Sequence, residues 1–371
     1  MSTVFHAGTR KGLFAFEKTN GRWSMTGGSF PGIQVPMLLH DRRDGLLHAA
    51  VEHGHFGTKM HRSADGGKTW EETGGVTYPP KPDDAPEIRD AFRNVTVPWS
   101  LEKIWSLETG GADQPGLLWC GTIPGGLFRS NDSGTTWELV RSLWDRPERA
   151  RWAGGGYDFP GIHSICVDPR DSRKVALGVS CGGVMVTADG GETWEQGAHG
   201  MSYDFLPEEQ GGADPEAQDP HRMVRCPAAP DRLWVQHHCS IYRSDDGARS
   251  WREIPDVQPS GFGFAVAVHP REPDTAWFVP AKKDEFRYPV DGRMVVTRTR
   301  DGGKTFDILD QGLPQPPAYD LVYRHGLDID DSGDLLVMGS TTGSLWISED
   351  QGDTWELLTA HLPPVYCVRF A

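Results

Sequence analysis

Short apolar stretches of about four to eight residues alternate with turn-forming clusters along almost the whole chain. Gly161 to Val167 is one such stretch and runs into Asp168-Pro169-Arg170-Asp171, after which an apolar stretch resumes. The same punctuation occurs at Pro270-Arg271-Glu272-Pro273-Asp274 and at Asp330-Asp331-Ser332-Gly333. Runs this short, bounded by Pro, Gly and Asp, predict strands joined by tight turns rather than helices. One predicted unit of four strands covers 161–168, 173–180, 183–188 and 193–198. No apolar run approaches the roughly 18 to 20 residues needed to span a bilayer.

A second turn recurs between strands. It reads Arg62-Ser63-Ala64-Asp65-Gly66-Gly67-Lys68-Thr69-Trp70 and Arg129-Ser130-Asn131-Asp132-Ser133-Gly134-Thr135-Thr136-Trp137. Further copies hold Asp189, Asp246, Asp301 and Asp350 in the same place, each followed by a closing Trp or Phe. The aspartates lie 67, 57, 57, 55 and 49 residues apart, close to one four-stranded unit plus its loops. Ser or Thr and Asp hold such a turn by bonding nearby amides, and Gly supplies the positive φ. Thr19-Asn20-Gly21-Arg22-Trp23 reads as a seventh, degraded copy with Asn20 in place of the aspartate.

Six near-complete copies resemble the Asp boxes of bacterial neuraminidase-repeat proteins, the sialidase-like or glycosyl-hydrolase-like β-propellers. The resemblance covers nearly the whole chain. It implies a box between the third and fourth strands of each blade, on the face away from the central pocket, and so a structural role for the boxes. The expected fold is therefore all-β: a single seven-bladed β-propeller over residues 1–371. The N-terminus supplies three strands of one blade, at 3–8, 12–17 and 22–26. The C-terminal strand Val365-Tyr366-Cys367-Val368-Arg369-Phe370 completes that blade and closes the ring.

Composition narrows the function class. With 45 Gly and 14 Trp, the chain has the residues needed for many tight turns capped by large apolar groups. A formal net charge of −15 disfavours a nucleic-acid partner. Six scattered cysteines and an N-terminus that reads directly as a strand point to reduced thiols in a cytoplasmic protein, with no membrane partner.

Strand order places second-to-third turns and inter-blade loops on one face, the mouth. Seven of the 14 histidines map there: His53, His55, His163, His221, His237, His238 and His325. His163, His221 and His238 are the preferred metal-binding trio, with His53 or His55 as a fourth ligand for Zn, Fe, Mn or Cu. No organic cofactor is expected. Asp158, Asp204, Arg222 and Arg324 are the candidate catalytic residues, and Glu52 is a further top-face carboxylate. Long loops at 71–103, 144–160 and 198–220 wall the mouth. The charged tip from Lys282 to Arg287 reads as a solvated hairpin, and Cys239 as a small buried thiol rather than a nucleophile.

The leading expectation is a metal-dependent hydrolase or lyase for a small polar or anionic substrate, carbohydrate-derived compounds included. A second reading is a non-catalytic scaffold that presents a face to a protein partner, which predicts a shallow mouth. The third is a sialidase. Its resemblance implies three arginines on the substrate carboxylate, a Tyr–Glu nucleophile pair and an Asp acid. Arg10, Arg222 and Arg324 are the arginines available to imitate the triad, but the Phe/Tyr-Arg-Ile-Pro motif is missing.

Overall fold

The computed structural model describes residues 1–371. Seven four-stranded antiparallel sheets follow one another around a ring, each running from an inner strand outward. The chain is a seven-bladed β-propeller. The expected closure is present: Val365–Phe370 pairs antiparallel with Val4–Thr9, Phe5 facing Phe370, and becomes the innermost strand of the first blade. The terminal blade therefore shares strands from both chain ends, and neither end leaves an unpaired inner edge.

The strands are apolar on both sides because each sheet packs between two neighbours. Leu118–Ile123 and Gly183–Thr187 are buried at every position. One core cluster joins Trp119, Leu127 and Leu143 of the third blade to Ile162, Leu177 and Met185 of the fourth. Another joins Trp277 and Val296 of the sixth to Leu336 and Trp346 of the seventh. The outermost strands are short, as in Glu71–Glu72 and Glu195–Gln196, and blunt the outer edge.

All six complete turns share one hydrogen-bond pattern. The Ser or Thr hydroxyl donates to the aspartate, at 2.8 Å for Ser63–Asp65 and 2.7 Å for Thr187–Asp189, and accepts the amide of Gly67 or Gly191. The aspartate then accepts from the amide and hydroxyl of the Thr or Ser that precedes the aromatic. The seventh copy differs. Asn20 (φ 51°) and Gly21 (φ 79°) form a two-residue hairpin between Gly12–Thr19 and Arg22–Ser29, with no box loop. Two consecutive positive φ values make this a type I′ turn, which Asn-Gly adopts most readily.

All six cysteines are free thiols. No helix is long and apolar enough to cross a membrane.

Candidate metal centre at the propeller mouth

Inner strands begin at the mouth, so the residues at their first positions ring the central axis. Asp219 and His221 flank Pro220 at the start of Pro220–Arg225 in the fifth blade. His238 lies in the turn between Leu233–His237 and Ile241–Ser244 of the same blade. The backbone amide of His238 donates to the Asp219 carbonyl at 3.0 Å and ties the two segments together.

One donor atom from each of Asp219, His221 and His238 falls within 4.8 Å of the others. The carboxylate is held from behind: its Oδ1 accepts from Ser180 Oγ at 3.0 Å and from the Cys181 amide at 3.2 Å. Its Oδ2 faces His221 Nε2 and His238 Nδ1, each at 3.4 Å. His221 is oriented as well. Its Nδ1 donates to the Gly263 carbonyl at 2.6 Å, and its ring stacks on Phe264 with centroids 4.6 Å apart. The proton on Nδ1 leaves a neutral ring with the Nε2 lone pair aimed at a carboxylate oxygen. A cation between them satisfies both. Burial favours that neutral state and lowers the His221 pKa, with Asp219 offsetting part of the effect. Burial opposes the charged form of Asp219, but in the absence of a cation the two imidazoles, when protonated, outweigh it and hold the carboxyl well below its usual range. Two imidazoles and one carboxylate suit Zn, Mn or Fe and leave coordination positions open, as catalytic sites require. Partners that fix the carboxylate and imidazole from the far side are what metal ligands usually have.

The centre lines a cavity of about 320 Å³. Phe92, Tyr203 and Phe205 from the long loops form one wall, and Asp284 and Arg287 of the charged hairpin tip form another. That tip is therefore part of the site rather than a solvated loop. A smaller lobe of about 140 Å³ adjoins it, sharing Gly156 and Arg287, and holds Lys103, Trp105, Tyr157, Arg324 and Tyr366.

The structure brings together two of the preferred histidines, His221 and His238. His163 stays outside the cluster: it is fully buried, its Nδ1 bonds Ser164 Oγ at 2.8 Å, and its ring packs edge-on against Trp105. His53 and His55 are also elsewhere. They sit at a single-turn helix at Gly54–Phe56, where His55 is exposed and His53 faces His61 with centroids 5.8 Å apart. Arg324 lines the mouth as expected. Arg222 does not: it reaches the cavity at the opposite end of the channel, beside Glu108 and Arg225. This separation also breaks the imitation of a sialidase arginine triad. Asp158 is exposed and paired with Arg93 at 3.4 Å, and Asp204 is exposed; neither lines the cavity. Glu52 is neutralised by Lys103 at 2.6 Å. Burial pushes the Cys239 thiol up to about 12, so it supplies no thiolate at neutral pH.

Asp219, Asp284 and Arg287 are the cavity-lining residues that sequence reasoning missed. The signal for Asp219 was the sequence Asp219-Pro220-His221 itself, an acid two residues ahead of a histidine at the opening of an inner strand.

The sequence matches no known family profile. A curated relative from Neosartorya fischeri, a probable oligoxyloglucan-reducing end-specific xyloglucanase, is 26% identical over 271 residues, which is 65% of this chain. The chain spans only 30% of that relative's length. Among solved structures, the GH74 xyloglucanase from Xanthomonas campestris superposes with a TM-score of 0.66 at 17% identity. The match covers 96% of this chain and 53% of that one. The periplasmic gluconolactonase of Pseudomonas aeruginosa superposes with a TM-score of 0.61 at 11% identity, covering 100% and 99% of the two chains. At these identities the superpositions establish the β-propeller fold, which this chain shares with glycosyl hydrolases and with a lactonase.

Proposed function

We propose that this chain is a metal-dependent hydrolase acting on a small carbohydrate-derived substrate at the propeller mouth. The observation that carries the reading is the Asp219–His221–His238 donor set on the wall of the 320 Å³ cavity. Xyloglucanase relatives favour a saccharide substrate. So do the exposed rings of Phe92 and Phe205 at the cavity, because flat aromatic faces pack against the C–H faces of sugars. A mouth cavity of about 320 Å³ lined by the donor set favours an enzyme over a scaffold.

A divalent metal at the three donors would polarise a substrate oxygen and lower the pKa of a bound water. The protein's own residues do the rest. Ser180 and the Cys181 amide keep Asp219 Oδ2 directed at the imidazoles. Gly263 fixes the His221 tautomer. Asp284 is the remaining carboxylate in the cavity, and its Oδ2 lies 4.0 Å from His238 Nε2. It faces the His238 nitrogen turned away from Asp219 and, held by Arg287 at 2.5 Å, is placed to orient that imidazole from behind.

The test is hydrolysis of aldonolactones and xyloglucan oligosaccharides by the full chain, with and without added Zn or Mn. Metal-stimulated turnover that falls at least about 100-fold in Asp219→Asn and His221→Ala supports the reading. Turnover unchanged in both variants overturns it.

A further inference from the structure

The smaller lobe of the mouth contains a buried charge with no direct ion-pair partner. Arg324 is 5% exposed, and its Nε and Nη2 have no hydrogen-bond partner. The comparably buried Arg298 pairs with Asp307 at 2.9 Å and Asp353 at 2.8 Å. Isolated cationic groups are strongly disfavoured away from water unless an anion completes them. Burial lowers the Arg324 pKa to about 10, so the guanidinium stays charged at neutral pH. Its plane is fixed by two rings, with Cζ 4.7 Å from the Trp105 centroid and 5.3 Å from that of Phe264. Gly156 covers it closely: a Cβ at that position would stand 2.7 Å from Nη2. The two other cationic groups of the lobe already have partners, Lys103 with Glu52 and Arg287 with Asp284, and burial keeps His325 neutral. A rigid, desolvated fork with no carboxylate at ion-pair distance, Asp219 acting on it only from farther away, is an arrangement suited to an oxyanion.

We propose that this lobe is an anion subsite in which Arg324 binds the carboxylate or phosphate of an acidic sugar. The rest of the ligand then reaches the Asp219–His221–His238 centre through the shared wall at Gly156 and Arg287. The saccharide part rests on the function proposed above; the anion part does not.

The experiment is calorimetric titration of the metal-loaded full chain with glucuronate, glucose 6-phosphate and glucose. At least one acidic sugar is expected to bind ten or more times more tightly than glucose. Preference for glucuronate assigns a carboxylate, and preference for glucose 6-phosphate assigns a phosphate. Arg324→Met is expected to remove that advantage while metal content stays at the wild-type level, and Arg324→Lys to restore part of it. Gly156→Ala, which crowds Nη2 without touching the charge, is expected to weaken the acidic sugar several-fold and provides the check if Arg324→Met does not fold. Equal binding of glucose and both acidic sugars overturns the proposal, as does an advantage that survives both Arg324→Met and Gly156→Ala. Absence of metal in the wild type instead counts against the hydrolase reading, and the two failures are read separately.

Discussion

The two faces of the propeller solve opposite problems. On the face of the repeated turns the hydroxyl, carboxylate and amide groups of each turn answer one another locally. Ser130 Oγ donates to Asp132 and accepts from the amides of Asp132 and Gly134. Arg170 is shared between Asp168 at 2.7 Å and Asp231 at 2.6 Å. At the mouth two groups stay incompletely answered although their neighbours are paired. Asp219 Oδ2 faces two imidazole nitrogens at 3.4 Å, longer than a good hydrogen bond, and Arg324 keeps two bare nitrogens. Saturated contacts stabilise a fold; unsaturated ones that are held in place are what a ligand can complete.

Substitutions at the two faces should therefore separate. The largest effect is expected at the mouth. Asp284→Ala, which removes the group behind His238, should reduce turnover on any substrate found by about 10- to 100-fold while leaving thermal stability near wild type. Ser130→Ala at the opposite face should do the reverse, costing about 1–2 kcal/mol in urea denaturation because it strands the Gly134 amide, with turnover unchanged. If both variants lose stability and activity together, the faces are not independent.

Acid should act through histidines buried at both faces, His163 and His237 at the mouth and His6 and His48 on the side of the repeats. His6 bonds the Gly66 carbonyl, and a Cβ on Gly134 would stand 3.5 Å from His48. Burial lowers both histidines to about 4. The unfolded chain, with histidines near 6.5, then binds more protons than the folded one between those values. Stability should be full above pH ~6.5, fall as pH drops toward 4, and become insensitive to these groups below that. The urea midpoint measured from pH 7.5 to 4.5 should show this slope, and it should be shallower in His48→Gln. The smallest effect is expected at the one blade without a box. Gly21→Ala has open space around the new methyl but keeps φ at 79°, so it should cost only about 1 kcal/mol.

The same contrast explains what the sequence disclosed. The boxes were legible because a local hydrogen-bond pattern needs the same residues each time, at the same offsets. Ring closure was legible because an inner strand was missing at one end of the chain and surplus at the other. At Asn20 the periodicity misled, since an Asn-Gly hairpin needs no aspartate. The mouth is assembled once, from strand starts in different blades, and no repeat marks it. Topology sent His163, His221 and His238 to the right end, yet it did not tell which ring turns toward Asp219 and which toward Ser164. Arg222 was misplaced for a related reason. It follows His221 directly, but its side chain runs to the far cavity of the channel while His221 stays at the mouth. Asp284 and Arg287 looked like a solvated tip because nothing in a charged hairpin records the direction in which it folds over.

Metal content of untagged protein, measured by mass spectrometry after exhaustive dialysis and reloading, bears most directly on the centre at the mouth. One tightly held divalent ion per wild-type chain, lost in His221→Ala/His238→Ala and retained in Ser130→Ala, is the expected result. A wild-type chain that takes up no ion, or a double variant that holds it as well as wild type, would contradict the account.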